Sequence, residues 1–431
     1  MEQLEEIMNI TLRAKTYYSG FQHAHDTYNA ISKASDGNIY YILSSERLEE
    51  GGKLYVFDPL KEETRLLADL TEICGEADKK TVPQGKSHAR FYEYEGKLFF
   101  STHVGYYEMI EGMERLPMRV PEGFARYPGG HILSYDITNG TFTDWAIAPA
   151  GEGIVAMHMD VIRGQLFCIT WPTGLFLHFD VKTKQLINLG PVSANGEAGK
   201  PGADFRTLCR SILVDSAGKA YFSTAEGLVF CYDTAKRSLQ QLDVDLRLDY
   251  LGTYDATRPG SMAYNWRKIF WYEPEQVAYG IHGNSGYLFR FDPKKSHIEL
   301  VQRIASEASQ RCGMFDQFSY GYLGFQLGPD GETIYYLTGS PIFKNGKRVK
   351  GVETLAKGGS KGQEYLHLIT YHIPSATYRD HGAIFYENGE WPSYVNAIAV
   401  GNASTVYTLG RMLHEGREIA DLIVISRPTE G

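Results

Sequence analysis

The sequence lacks a cysteine framework. Cys74, Cys168, Cys209, Cys231 and Cys312 are odd in number, scattered, and form no CxxC pair. That pattern argues against a disulfide scaffold and against a thiolate metal site; buried free thiols are expected. Blocks of like charge are also missing. The net charge of −9 is spread over interspersed acids and bases, so neither nucleic acid nor an anionic membrane is an expected partner. No apolar run is long enough to cross a bilayer, and Met1–Met8 has neither the basic segment nor the apolar core of a leader. A cytoplasmic location is expected. Helical periodicity is scarce, confined to residues 1–12 and 302–310. No Pro/Ser-rich or charged spacer divides the 431 residues.

What remains is a series of short β-rich runs broken by Gly, Asp and Asn. Two signals recur. One is a turn followed by an aromatic strand, as in Asp36–Tyr41, Glu95–Phe100, Arg163–Cys168, Ala217–Phe222 and Asp330–Tyr336, with weaker copies at Glu275–Tyr279 and Ser404–Tyr407. The other is an aromatic residue followed by aspartate at a strand end, at Asp58, Asp136, Asp180, Asp233 and Asp292, with degenerate copies at His372 and Ser426. Both signals occur seven times, in step. Four antiparallel strands repeated seven times predict an all-β chain, a single seven-bladed β-propeller of four-stranded blades. The blades are expected at about residues 25–72, 85–148, 153–192, 205–244, 263–304, 319–384 and 392–431. The last copy has no fourth strand of its own, and residues 8–18 are expected to supply it and close the ring. Two units carry long insertions between their second and third strands, from His103 to about Gly130 and from Gly339 to about Tyr365.

First strands of a propeller line its channel. Aligned on the turn glycine, the channel-mouth position is Asn29, His88, Ala156, Arg210, Arg267, Leu323 and Asn396, the fifth and sixth after a one-residue shift. His88 and His103 sit near the outer ends of one hairpin, so they are expected to meet on one face. The same face should gather His25, Tyr107, Trp171, Arg206, Tyr264, His282, Asn284 and Tyr320. Aromatics for sugar faces, amides for hydroxyls and arginines for carboxylates make a carbohydrate site. The competing reading pairs the arginines with Asp26, Asp204 or Asp316 as structural ion pairs. His131 and His158 read as structural. His23 and His25, two apart on an extended chain, share a face and with His88 or His103 would make a site for a divalent metal; no other cofactor is indicated.

A glycosidase normally flanks the scissile bond with two carboxyl groups, and the ring position has none. Histidine, tyrosine and arginine suit β-elimination on a uronic acid, in which a C5 proton is removed and charge develops on the carboxylate. In that scheme His88, His103 and Tyr264 move protons while Arg210 and Arg267 neutralise the carboxylate. His25, Asn29, Tyr107, Trp171, Arg206, His282, Asn284, Tyr320 and Asn396 hold the sugar.

A propeller with a histidine pair on adjacent strands of an early blade, faced by arginine and tyrosine, resembles the β-propeller polysaccharide lyases, among them ulvan lyases and rhamnose-glucuronate lyases. The resemblance covers the architecture of the whole chain and, at the level of motif, His88, His103, an arginine and a tyrosine. It implies uronate-containing glycans as substrates, here imported oligosaccharides. Other classes stay open: a glycoside hydrolase, a metal-dependent hydrolase or lactonase drawing on Asn29 and Asn396, and a non-catalytic binding platform.

Overall fold

The structure is a computed structural model that describes residues 12–426 apart from residues 27, 111–112, 249–262, 283–284, 312–322, 346 and 350–363. The predicted strands form because each repeated signal makes a specific turn. In the aromatic–Asp signal, the aspartate carboxylate accepts the backbone N–H groups two and three residues on. Asp58 takes Leu60 and Lys61 at 2.9 and 3.2 Å, and Asp180 takes Lys182 and Thr183 at 2.8 and 3.2 Å. Asp136, Asp233 and Asp292 repeat the arrangement. Four residues past the aspartate the chain enters the left-handed region, at Glu62, Gly140, Lys184, Arg237 and Ser296. An aspartate followed by a left-handed residue is a self-contained chain reversal.

These turns connect the strands into meanders. The first sheet contains Ile31–Lys33, Ile39–Leu43, Lys53–Asp58 and Glu63–Asp69; the second contains Tyr92–Tyr94, Lys97–Ser101, His131–Asp136 and Phe142–Ile147. The third runs from Gly153–Asp160 to Gln185–Pro191, the fourth from Leu213–Val214 to Ser238–Asp245, and the fifth from Lys268–Tyr272 to His297–Arg303, each four-stranded. An eight-stranded sheet joins Gly324–Leu327, Thr333–Pro341, Glu364–His372 and Thr377–Phe385 to a second set of four: Leu12–Tyr17, Arg417–Ser426, Val406–His414 and Ala399–Val400. Leu12–Tyr17 makes that junction. It pairs antiparallel with Arg417–Ser426 and, through two residue pairs, parallel with Thr377–Phe385.

The sheets pack face to face in a cycle. Tyr407 and Leu409 meet Tyr41 and Phe57; Ile42 and Leu54 meet Phe100 and Leu133; Phe99 and Ile132 meet Met157 and Leu177. A larger cluster links the third, fourth and fifth sheets through Phe176, Phe222 and Phe289, and two more carry the packing on to the eight-stranded sheet and across its halves. The predicted helices fare differently. Residues 1–11 lie outside the described set and Leu12 opens a strand; in the other segment only Glu307–Arg311 is helical, because Gln302 and Arg303 pair with Leu288 and Tyr287. Cys74, Cys168, Cys209 and Cys231 are free and buried, and Cys312 lies outside the described residues. Among those residues no helix is long and apolar enough to cross a membrane.

His131, expected to be structural, bridges Glu76 and Asp144 at 2.8 Å each. Burial opposes its charge, but the hydrogen bonds to Asp144, Cys74 and Glu76 outweigh burial and raise its pKa to about 11. The raised folded pKa means that this stabilisation is complete below about pH 6.5 and fades as pH climbs through about 11. His131→Ala is expected to cost about 3 kcal/mol at pH 7 by taking the imidazolium from the buried Glu76, which keeps only the hydrogen bonds of Gln84 and Thr81. A urea melt that moves by less than about 0.5 kcal/mol, the range of an ordinary surface change, would refute this role.

Candidate functional site

The first strands surround a cavity of about 270 Å³. Its wall takes residues from each of the five four-stranded sheets and from both halves of the eight-stranded sheet, or from the segments leading into them: Asn29 and Ile31, His88 to Tyr92, Met157 and His158, Arg210 to Ile212, Lys268 to Trp271, Phe325 to Leu327, and Ala397 and Ile398. Among the described residues no aspartate or glutamate is on that wall.

His88 and His103 come together as their hairpin predicts. Lys86 pairs with His103 across the short ladder Gln84–Lys86 and His103–Val104, and the two imidazoles stand 4.7 Å apart. Tyr28 lies 4.3 Å from His88 on the other side, and Trp171 lies 5.3 Å from His103. His103 is 2% exposed, and its ring rests against the backbone of Gly153, where a Cβ would come within 3.0 Å of two ring atoms. Burial lowers the pKa of His88 well below its ordinary value, and His103, Lys86, Arg210 and Arg267 add to the effect. His88 is therefore a neutral imidazole at pH 7, able to accept a proton.

Arg210 is fixed from behind. Its guanidinium meets Glu197 at 2.6 Å, and the Trp171 indole N–H donates to the same carboxylate at 3.0 Å. Arg115, on the hairpin formed by Glu108–Ile110 and Met113–Arg115, donates to the carbonyls of Glu197 and Gly199 at 2.5 and 2.8 Å. Glu197 was not anticipated from sequence, and neither were Tyr28 and Lys86. The Lys86 ammonium, on a residue 1% exposed, donates to the Tyr28 hydroxyl at 3.1 Å and lies over the rings of Tyr28 and Tyr107.

A second cluster adjoins the first. Tyr107 donates to Glu46, whose carboxylate lies 3.4 Å from His25; His25 is 3.6 Å from Asp26. Asp26 is fully buried and paired with Arg411, whose Nε donates to Oδ1 at 2.9 Å. Hydrogen bonds to Asp26 and Glu46 raise the pKa of His25 to about 9. Burial disfavours the Asp26 anion, yet His25 and Arg411 prevail and hold its carboxyl well below the usual range. His25, Asp26 and Glu46 present ligand atoms within 4.8 Å of one another. Arg411 takes Oδ1 of Asp26 and Tyr107 donates to Glu46, while Oδ2 of Asp26 is buried with only His25, 3.6 Å away, beside it, so the set is an ion network. The expected His23–His25 pair does not converge, because Gln22–His23 is a turn and not an extended chain; His23 bonds instead to Glu50 at 2.6 Å.

Other expected residues have partners of their own. Arg206 pairs with Glu226, and Tyr264 packs beside Gly227 and Arg247. His282 donates its Nε2–H to Ala263 O, 2.9 Å away, and burial pushes its pKa down to about 4. Asn396 is buried. Asn284 and Tyr320 lie outside the described residues. In the fifth sheet the cavity wall runs from Lys268 to Trp271 and leaves out Arg267, which still lies near enough to lower the pKa of His88. His158 also faces the cavity, contrary to expectation, although its Nδ1 bonds to Ile212 O at 2.7 Å as a structural histidine would.

No known protein-family profile matches the sequence, and no curated protein matches it. Solved structures do. The chain is similar to a catalytically inactive virginiamycin B lyase from Staphylococcus aureus with quinupristin, at 5% identity and a TM-score of 0.52, over 97% of this chain and 100% of that one. It is equally similar to the β-propeller domain of Cps50 (Swd1) from Myceliophteria thermophila, at 9% identity and a TM-score of 0.51, over 96% and 98%. At such identities the likeness speaks to fold alone, and the fold it gives this chain is the β-propeller.

Proposed function

We propose that this propeller is a carbohydrate-active lyase that cleaves uronate-containing oligosaccharides by β-elimination. We read its fold as seven four-stranded blades with the bounds expected from sequence, Leu12–Tyr17 completing the last. The observation that carries the functional reading is the neutral His88, set between the tilted rings of Tyr28 and His103 on the wall of a basic cavity that has no carboxylate among the described residues. His88 takes the C5 proton. Arg210, on the wall and held by Glu197, stabilises the charge that moves onto the uronate carboxylate, and Arg267, off the wall, adds to the positive field that also acts on His88. The C4–O bond breaks, a C4–C5 double bond forms, and the leaving oxygen takes its proton from Tyr28 or His103. Burial raises the pKa of the Tyr28 hydroxyl, which keeps its proton available. Tyr28 thus replaces Tyr264 in the scheme. In this scheme Asn29, on the cavity wall, holds the sugar, and the buried Trp171 acts from behind by orienting His103 and Glu197. In this reading the partner is a small cytoplasmic sugar, with no nucleic acid or membrane involved.

Incubation with a panel of uronate oligosaccharides should give rising ultraviolet absorbance from the unsaturated product, unaffected by a chelator. Reducing ends without new absorbance would turn the assignment to a hydrolase. Activity lost to a chelator would turn it to a metal-dependent enzyme, and binding without turnover to a recognition platform.

A further inference from the structure

Lys268 is an unusual resident of the central cavity. It opens the first strand of the fifth sheet and faces a wall that also carries Asn29, His88, Arg90 and Arg210. Arg210 is answered by Glu197. Lys268 is not answered by any carboxylate among the described residues; its ammonium position is held by the Asn29 side-chain oxygen. The charged neighbours that bear on it, Arg267 and Arg90, are both cations. An enclosed amine among cations and without an anion is stabilised in its uncharged form, which is the nucleophilic one.

We propose that Lys268 is a reactive amine that condenses with the carbonyl group of a small carbonyl acid, a 2-oxo or aldehyde acid, bound in the central channel. The two halves of such a ligand match the two halves of the wall. Its carboxylate suits the guanidinium groups of Arg90 and Arg210, and its carbonyl carbon suits the amine that Asn29 orients. The volume, about 270 Å³, lies at or below the small end of ligand pockets, which favours a ligand of few carbon atoms. In the step, the Nζ lone pair forms a C–N bond while the carbonyl oxygen gains a proton, giving a carbinolamine. Loss of that oxygen as water, with the two amine hydrogens, leaves the imine. Nothing is oxidised or reduced. This activity shares Arg210 and the channel with the elimination reading but not its proton-transfer groups, so loss of labelling at Lys268 and loss of elimination at His88 are separate outcomes.

The test is reductive trapping on the full chain at pH 7 with glyoxylate and sodium cyanoborohydride, followed by peptide mass spectrometry. Lys268 should be alkylated at least about tenfold faster than the exposed Lys61 and Lys236, since each unit of lowered pKa raises the neutral fraction about tenfold. Acetaldehyde, which lacks the carboxylate, should label it more slowly, and phosphate should protect it. Lys268→Arg removes the nucleophilic amine and should abolish labelling in the channel while surface labelling continues. If Lys268 stays unmodified while surface lysines react, the proposal is overturned. If acetaldehyde matches glyoxylate and phosphate gives no protection, the carbonyl-acid assignment is overturned. The wild-type peptide map decides both points even where the variant fails to fold.

Discussion

His88→Ala is expected to reduce the rate of uronate elimination by about 10²- to 10⁴-fold, the usual contribution of a positioned general base. The loss should fall on kcat, because the imidazole acts on a proton that moves only in the transition state. The wild-type profile should carry the same signature. A His88 pKa lowered by burial and cationic neighbours leaves the base competent throughout the neutral range, with activity failing only well below pH 6.5. Folding obeys the matching sign: charging a histidine that is neutral in the folded state destabilises the protein as pH falls below the unfolded value. His88→Ala with undiminished kcat, measured on a uronate that the wild type cleaves, would remove His88 from the chemistry. His103→Ala and Tyr28→Phe would then separate the acid from the base.

The largest stability effect is expected at Arg411. Its guanidinium lies 4.1 Å above the Tyr394 ring and pairs with Asp26, which has no exposure to solvent. Arg411→Met should destabilise the fold by about 3–5 kcal/mol, because it strands a buried carboxylate. Asp26 is held below its ordinary pKa, so the pair's contribution is present above about pH 3.9 and is lost as pH falls through the lower folded value. Substituting both, Asp26→Leu with Arg411→Met, should recover most of the loss. Denaturant melts across this double-mutant cycle measure it. A single-variant loss no larger than the double variant's would show that packing, and not charge, sets the site's stability.

How much of this was legible in the sequence depends on the distance over which each feature is encoded. The aspartate turns are local: a carboxylate and the next three amides make them, so Asp58 and Asp180 announced their strands correctly. His88 and His103 lie fifteen positions apart but on one hairpin, so strand geometry alone brings them together. Glu197 was invisible because it comes from the loop after the third sheet and reaches Arg210 only when the sheets pack. Tyr28 was similarly hidden, since its contact with His88 crosses from the first sheet's approach segment to the second's. Lys268 was missed by one residue. The repeat alignment needed a one-residue shift in that unit, and the wall begins one position later, at Lys268. The His23–His25 pair failed for the opposite reason: an extended chain was assumed where the backbone turns.

The junction made by Leu12–Tyr17 has a mechanical consequence. Arg13 faces Ser426 and Tyr17 faces Leu422 across an antiparallel ladder, so the two chain ends leave the ring from the same edge. Tension drawn outward through residues 12 and 426 does not load the ladder in shear, with all its hydrogen bonds resisting together. It opens the ladder like a zip, one residue pair after another from Ser426 inward. The ring that closes by joining its own two ends is thus weakest to force applied at that clasp, while each meander, reversed at both ends by its turns, offers no free end to pull.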